Sequence, residues 1–172
     1  MNIHCTQKLA KKLPEVCVEP QEETSVLGSW HANLYTIDRR QCIMFCHDQT
    51  RFVLFQTGLK KSDFTNLDYL FQDLLGNTML KCGYEPTLME KALSHVDKLN
   101  FDTACNRSVQ GSMRTVRTME LYAVLMDASD VMELPVYSVS AHLNDRPASI
   151  KGMKASECLW PIRAMDDLIR AL

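Results

Sequence analysis

The chain has 172 residues, of which 46% are hydrophobic and 23% are charged, and its formal net charge is −2 at a sequence pI of about 6.2. This length and composition predict one soluble domain, residues 1–172, with a core of its own. The slightly acidic charge excludes a general attraction to nucleic acid, so that such binding would need a local basic patch. No apolar run approaches the ~18 residues of a membrane-spanning helix, and residues 1–8 lack the apolar centre of a signal peptide. We therefore expect a cytoplasmic protein that does not bind membrane.

The seven cysteines are an odd number, and no two of them form a Cys-x-x-Cys pair. This spacing favours reduced, buried thiols over a disulfide framework or a structural zinc site. Six glycines leave little material for a phosphate-binding loop, and the common nucleotide and hydrolase motifs are absent from the sequence. The sequence therefore predicts neither a bound metal nor a cofactor.

A short strand over residues 2–6 opens the predicted fold, and residues 14–28, with two prolines and four glutamates, form a loop. Three segments follow, residues 32–37, 41–47 and 51–57, each rich in β-branched and aromatic side chains. The short polar turns between them predict antiparallel hairpins. Alternation divides the middle segment into two sets, Cys42, Met44 and Cys46 on one face and Ile43, Phe45 and His47 on the other. Because both sets are largely apolar, we expect both faces of this strand to be covered.

From about residue 62 the apolar spacing becomes helical, with Leu67, Phe71 and Leu74 on one stripe. Pro86 suits the first turn of a second helix. Residues 107–127 predict a long third helix, whose second half is apolar almost all round and is therefore expected in the core.

Two more helices are predicted, a short one after Pro135 and an amphipathic one over residues 162–172. Strands thus come first and helices after them, an order that predicts the α+β class. We expect an antiparallel sheet, made of the N-terminal strand and the 32–57 meander. About four to five helices from the C-terminal two-thirds of the chain should pack on it.

Four stretches of this sequence look like the landmarks of a known family. They are Trp30-His31-Ala32-Asn33-Leu34, Ile37-Asp38-Arg39-Arg40, Leu59-Lys60-Lys61-Ser62-Asp63-Phe64 and Asn106-Arg107-Ser108-Val109-Gln110-Gly111-Ser112-Met113. With them, the chain resembles a bacterial family of small single-domain proteins that is catalogued as a domain of unknown function. The resemblance implies a stand-alone bacterial cytosolic protein from the accessory genome, where mobile elements lie, and it transfers no catalytic residue.

The start of the third helix carries a candidate stripe for phosphate or nucleic acid. Arg107, Gln110, Arg114 and Arg117 follow at spacings of three, four and three, which place them on one side of a helix. Guanidinium groups in a row bind phosphates well, and Asn106 or Ser108 would cap the helix beside them. The alternatives are a solvated helix face, or an Arg107 that pairs with a carboxylate and locks the helix onto the sheet.

Polar residues near the strands complete a candidate ligand-binding set. His31 and Asn33 share one face of a strand, where a histidine and an amide suit proton transfer or ribose binding, although exposed strand polarity explains them equally well. Asp38 and Arg39 lie in a turn, where they would extend a basic patch or protect the sheet edge. The full set is His31, Asn33, Asp38, Arg39, Asn106, Arg107 and Ser108.

These observations leave two functions open. The first is a non-enzymatic binding or regulatory module, which acts on a protein partner, or on a second copy of itself, through the sheet edge or the helix that begins at Arg107. The alternative is a nucleic-acid- or nucleotide-processing enzyme with a polar cleft made of His31, Asn33, Asp38, Arg39, Arg107 and Ser108. Convergence of these side chains on one cleft would favour the enzyme.

Overall fold

The computed structural model describes residues 1–150, 153–154 and 157–172. Its centre is a five-stranded mixed sheet in the order β4-β3-β2-β1-β5. The strands are β1 (Asn2–Cys5), β2 (Trp30–Ile37), β3 (Arg40–His47), β4 (Val53–Gln56) and β5 (Asn100–Asp102). The meander β2-β3-β4 is antiparallel, as predicted, whereas β1 runs parallel to both of its neighbours, β2 and β5.

The predicted all-antiparallel sheet is therefore wrong at its N-terminal strand. After β1 the chain forms the short helix α1 (Gln7–Ala10) and a long loop, which return it to the end of the sheet where β1 began. A connection of this length allows the next strand to run in the same direction as the first. Strand β5 was not predicted, because its three residues, Asn-Phe-Asp, carry no apolar alternation.

The first face of the sheet is covered by helices α2 (Leu67–Lys81), α3 (Pro86–Ser94) and α7 (Pro161–Ala171). Trp30 and Phe45 from the strands both meet Phe71 of α2 edge to face, with ring centroids 5.0 and 5.1 Å apart. All three aromatic side chains are fully buried. This geometry suits the ring quadrupoles and makes the first face a tightly packed apolar core.

The second face of the sheet is covered by helix α4 (Arg107–Thr115), a π-helical turn (Val116–Leu121) and helix α6 (Val136–Asn144). Cys42, Met44 and Cys46 of β3 are buried on this side, which confirms the predicted covering of both faces. Helix α5 (Tyr122–Asp127) continues directly from the π-helical turn. The described part of the C-terminal two-thirds thus contains six α-helices, or five if α4 and α5 count as one.

The outer strands of the sheet have partners along their edges. On β4, the amide of Asn144 exchanges two 2.7 Å hydrogen bonds with the backbone of Val53, and Ser140 accepts from the backbone N–H of Phe55 at 2.9 Å. On β5, the carbonyl of Phe101 accepts from the backbone N–H of Cys17 at 2.7 Å. Neither edge offers a free row of backbone groups that would template pairing with another strand.

The π-helical turn changes which side chains of the long helix reach the core. Val109, Met113 and Val116 are buried at α-helical spacing, and the next position in that series is Glu120. A π-helical turn holds one more residue than an α-helical turn, so Leu121 is buried in place of Glu120. The prediction that the second half of this helix runs through the core holds only for Leu121, because no residue of α5 is buried.

Candidate functional site

Two histidines and an aspartate lie in a row across three parallel strands. The register of β1 places His4 beside His31 of β2 on one side and Asp102 of β5 on the other. His4 Nδ1 lies 2.6 Å from Asp102 Oδ1, and the His4 and His31 ring centroids are 5.0 Å apart. We call the row, together with Asp48, the histidine cluster.

Two opposed hydrogen bonds fix the tautomer of His31. The backbone N–H of Asn106 donates to His31 Nε2 at 2.6 Å, so that nitrogen carries no proton. His31 Nδ1 therefore carries the proton and donates it to Asp48 Oδ1 at 2.6 Å. With only 1% of its surface exposed, His31 positions the start of α4 over the sheet and has no free lone pair for proton transfer.

His4 differs from His31 because one of its ring nitrogens makes no hydrogen bond. Its Nδ1 is bonded to Asp102, while its Nε2 has no partner among the residues that the structure describes. Burial acts to raise the pKa of Asp102, but hydrogen bonds from His4 and from the backbone N–H groups of Ala104 and Gln21 outweigh it, and the pKa lies below its ordinary value. The ionised carboxylate orients His4, whose Nε2 is then available to accept a proton.

The beginning of α4 is fixed by side chains on both sides. Asn106 caps the helix by accepting from the backbone N–H of Ser108 at 2.8 Å, as predicted. Arg51, whose exposed fraction is 2%, donates from Nη2 to Ser108 Oγ at 3.2 Å and from Nη1 to the Asp48 carbonyl. Together with His31, these bonds connect α4 to β2 and to the β3–β4 turn.

The structure brings together only part of the predicted ligand set. Asn106 and Ser108 lie beside His31, at the start of α4. Asn33 lies two positions after His31 on the same face of β2, where it accepts a 3.0 Å hydrogen bond from the Thr6 hydroxyl. Asp38 and Arg39 form the exposed β2–β3 turn, with φ angles of 47° and 62°. They lie at the opposite end of β2 from His31, about 23 Å away at the usual rise of a strand, so they do not share its site.

The four residues of the predicted stripe lie along one helical segment, but they do not form a single uniform surface. Arg107 and Arg114 are exposed on α4 and Gln110 is half-buried, while Arg117 lies in the π-helical turn. The Arg117 guanidinium packs over the Tyr35 ring, 4.8 Å from its centroid. Among the described residues no carboxylate forms an ion pair with Arg107. The side chains that fix α4 to the sheet are instead His31 and Arg51.

Large apolar side chains are exposed where the long helix was expected to be buried. Met119, Tyr122 and Met126 expose 62%, 58% and 68% of their surface, and we call them the apolar ridge. Their spacing of three and four residues places them on one side of the helix. Monomeric proteins seldom expose contiguous apolar surface of this kind without a binding role.

Residues 2–164 match the sequence model of one protein family, described as a domain of unknown function (DUF6933). The chain belongs to this family. The match confirms the resemblance drawn from the sequence. A search of the curated proteins finds no match to the DUF6933 chain.

The described part of this DUF6933 member contains neither a membrane-spanning helix nor a cluster of metal ligands. Over residues 1–150, 153–154 and 157–172, no helix is both long and apolar enough to span a membrane. Within the same ranges, no three His, Cys, Asp or Glu side chains converge in a way that would hold a metal ion.

Sequence reasoning missed His4, Asp48 and Asp102, although they form most of the histidine cluster. His4 and His31 each lie between two buried, apolar residues of a strand. This alternation is the pattern in the sequence that could have indicated the cluster. The signal was insufficient, because Asp102 lies 98 residues from His4 and meets it only through an unpredicted parallel pairing.

Proposed function

We propose that this DUF6933 member is a non-enzymatic protein-binding module that acts through the apolar ridge. The observation that carries the proposal is that Met119, Tyr122 and Met126 are each more than half exposed on consecutive turns of one helix. Burial of such side chains contributes about 1.5–3 kcal/mol each when a partner covers them completely.

The sheet edges are poorer candidates for the same role. Asn144 and Ser140 occupy the backbone groups along β4, and the loop at Cys17 occupies the edge at Phe101. A partner strand would have to displace these bonds before it gained any of its own. Of the two surfaces considered from the sequence, the edge and the helix, the helix is therefore favoured.

The occupant that best fits the ridge is a second copy of this chain. Arg114 and Arg117 precede the ridge and are exposed, whereas Asp127 and Asp130 follow it and are also exposed. In a two-fold antiparallel pairing of the helices, the basic end of one copy meets the acidic end of the other. The ridge would then be self-complementary both in charge and in apolar surface.

A cleft beside the ridge supports this docking geometry. It has a volume of about 560 Å³ and lies between the end of β2 and helix α5, with Ile37, Arg117, Tyr122, Leu125 and Met126 among its lining residues. A ridge side chain from the second copy would enter it, and buried aromatic anchors contribute strongly to the energy of protein interfaces.

The test is the oligomeric state of the purified protein, measured by sedimentation velocity over a range of concentrations. We expect a dimer that Tyr122→Glu converts to a monomer, because the substitution places a charge at the centre of the interface. Tyr69→Glu is the matched control, since Tyr69 exposes 75% of its surface on α2, and it should leave the dimer intact. A wild-type monomer at all concentrations, or a Tyr122→Glu dimer, would contradict the proposal.

The second candidate is a nucleic-acid- or nucleotide-processing enzyme. It is favoured by the Asp102–His4 pair, in which an oriented histidine keeps one ring nitrogen free. The exposed arginines of α4 would hold the phosphates. Of the predicted polar set, His31, Asn33, Arg107 and Ser108 are near this pair or at the start of α4, while Asp38 and Arg39 are not.

This alternative is tested by nuclease and nucleotide-hydrolysis assays of the wild type and of two histidine variants. An enzyme of this kind should lose activity about 100-fold or more in His4→Ala. It should keep its activity in His95→Ala, because His95 lies just beyond helix α3, away from the cluster. Activity that survives in His4→Ala would remove the Asp102–His4 pair from consideration.

A further inference from the structure

A second cleft, about 720 Å³ in volume, lies between α4 and residues 146–150, 153–154 and 157. Along α4 it is lined by small side chains, Ser108, Gly111, Ser112 and Thr115, and Arg146 also lines it. A Cβ atom added at Gly111 would meet no atom within 4 Å, so the cleft is open at this position. This volume is in the range of pockets that hold small molecules.

Arg146 is a buried cation that forms no ion pair with a carboxylate of the residues that the structure describes. Only 7% of the residue is exposed. Its Nε donates to the Leu143 carbonyl at 2.9 Å and its Nη1 to the Pro147 carbonyl at 3.5 Å, whereas its Nη2 has no acceptor among the described residues. Because burial disfavours the charged form, the pKa of Arg146 is lowered. A buried guanidinium in this state gains more than an exposed one from an anion placed beside it.

Arg51 is a second buried cation, and it contacts Ser108, which lines the cleft. It has no carboxylate partner within the described ranges, and its Nε makes no hydrogen bond there. Its Nη2 donates to Ser108 Oγ, so the Ser108 hydroxyl keeps its own hydrogen free to donate into the cleft. The positive charge of Arg51 and the hydrogen-bond donor of Ser108 both favour the binding of a negatively charged ligand.

The other charged groups near the cleft do not cancel this preference. Lys154 and Glu157 both line it, and the Glu157 carboxylate already accepts from the backbone N–H of Lys154 at 3.2 Å. Glu120 is close enough to Arg146 to act on its pKa, but it forms no ion pair with it. Among the described lining residues, Arg146 and Lys154 carry positive charges and Glu157 carries a negative one, so the lining has one net positive charge in a chain whose net charge is −2.

We propose that this cleft binds the phosphate group of a small phosphorylated molecule, with Arg146 and the Ser108 hydroxyl as its direct partners. Guanidinium and hydroxyl donors match the oxygens of a phosphate group, which can accept from several donors at once. The remaining length of the cleft, along Gly111 and Thr115, accommodates the rest of the molecule. This site is independent of the apolar ridge and of self-association.

The test is isothermal titration calorimetry of the full chain at constant ionic strength with three probes: inorganic phosphate, glycerol phosphate and acetate. We expect glycerol phosphate to bind most tightly, inorganic phosphate more weakly, and acetate not at all in the same range. Binding of inorganic phosphate alone would identify a site for the free ion and overturn the proposal of a phosphorylated molecule. Equal binding of acetate would show a site for any anion and would overturn it too.

Two variants connect the binding to this cleft. Arg146→Gln should weaken glycerol phosphate binding by about tenfold or more. Gly111→Leu should block the cleft without harming the fold, because the position is open and leucine favours the helix. Arg163→Gln, on the exposed side of α7, is the matched control and should bind as the wild type does. Unchanged binding by a folded Gly111→Leu variant would place the phosphate elsewhere and contradict the proposal.

Discussion

The two faces of the sheet are built from different kinds of contact. The first face, under α2, α3 and α7, is apolar and aromatic, with His47 as its main polar exception. The second face buries His31, Arg51, Asn144 and Arg146 among fewer apolar residues. Because buried polar groups cost free energy unless they are fully paired, the first face is the main source of stability. The second face holds the groups that suit ligand or partner binding.

The largest effect is expected from removing apolar volume on the first face. Leu74 of α2 is fully buried, so Leu74→Ala should lower the free energy of unfolding by about 2–5 kcal/mol. Leu80→Ala on the same helix is the control, because Leu80 is 57% exposed, and it should cost less than about 0.5 kcal/mol. Urea denaturation measures both, and equal costs would refute the contrast between core and surface on α2.

Acid should destabilise the first face through His47. Burial lowers the pKa of His47 to about 4, while the Leu27 carbonyl accepts a 2.6 Å hydrogen bond from its Nε2. Below pH 6.5 the unfolded chain therefore takes up a proton that the folded chain refuses, so stability falls as the pH falls from 6.5 towards 4. The expected loss is about 2 kcal/mol at pH 5.

Urea denaturation at pH 7 and pH 5 measures this loss. The His47→Gln variant lacks the titrating group, so its stability should change less between the two pH values than that of the wild type. An equal change in both proteins would show that other groups cause the acid sensitivity.

A smaller effect is expected where the second face is fixed by polar contacts. Asn106→Ala removes the side chain that caps α4 and should cost about 1 kcal/mol of unfolding free energy. Asn106→Asp keeps a capping oxygen and should cost less. Both variants keep the backbone N–H that donates to His31. Thermal denaturation distinguishes them, and identical melting temperatures would show that the cap contributes nothing.

The smallest effect is expected at the apolar ridge. Tyr122→Ala should change the stability of dilute, monomeric protein by less than about 0.5 kcal/mol, because the side chain is exposed. Leu121→Ala, at the neighbouring position, should cost about 2–5 kcal/mol, because Leu121 is fully buried. Unfolding of both variants at low protein concentration is the measurement. A reversal of the two costs would contradict the register in which Leu121 faces the core and Tyr122 faces the solvent.

Much of the fold was predictable because it depends on local patterns. The β2-β3-β4 meander, the apolar stripe of α2 and the Asn106 cap all follow from neighbouring residues in the sequence. The direction of β1 and the existence of β5 depend on pairing between distant segments, which residue patterns do not specify.

The candidate site was predicted less well than the fold. Three members of the predicted set, His31, Asn106 and Ser108, lie near one another, since each lies at the end of an element. Asp38 and Arg39 were grouped with them only by composition, although the length of β2 separates them from His31. The ridge was mistaken for core because the second half of this helix is apolar almost all round, and this composition did not reveal that Met119, Tyr122 and Met126 are exposed.

That turn also affects how family members should be aligned. Val116 and Leu121 are both buried, but they are five positions apart, where a regular α-helix would separate equivalent core positions by three or four. A relative that lacks one position here would form a regular α-helix, in which the residue four positions after Val116 takes the place of Leu121, so the residues after the gap would keep their orientation. An alignment gap between residues 116 and 121 would thus identify relatives that have an α-helical turn in place of the π-helical one and keep both the interior and the outward surface.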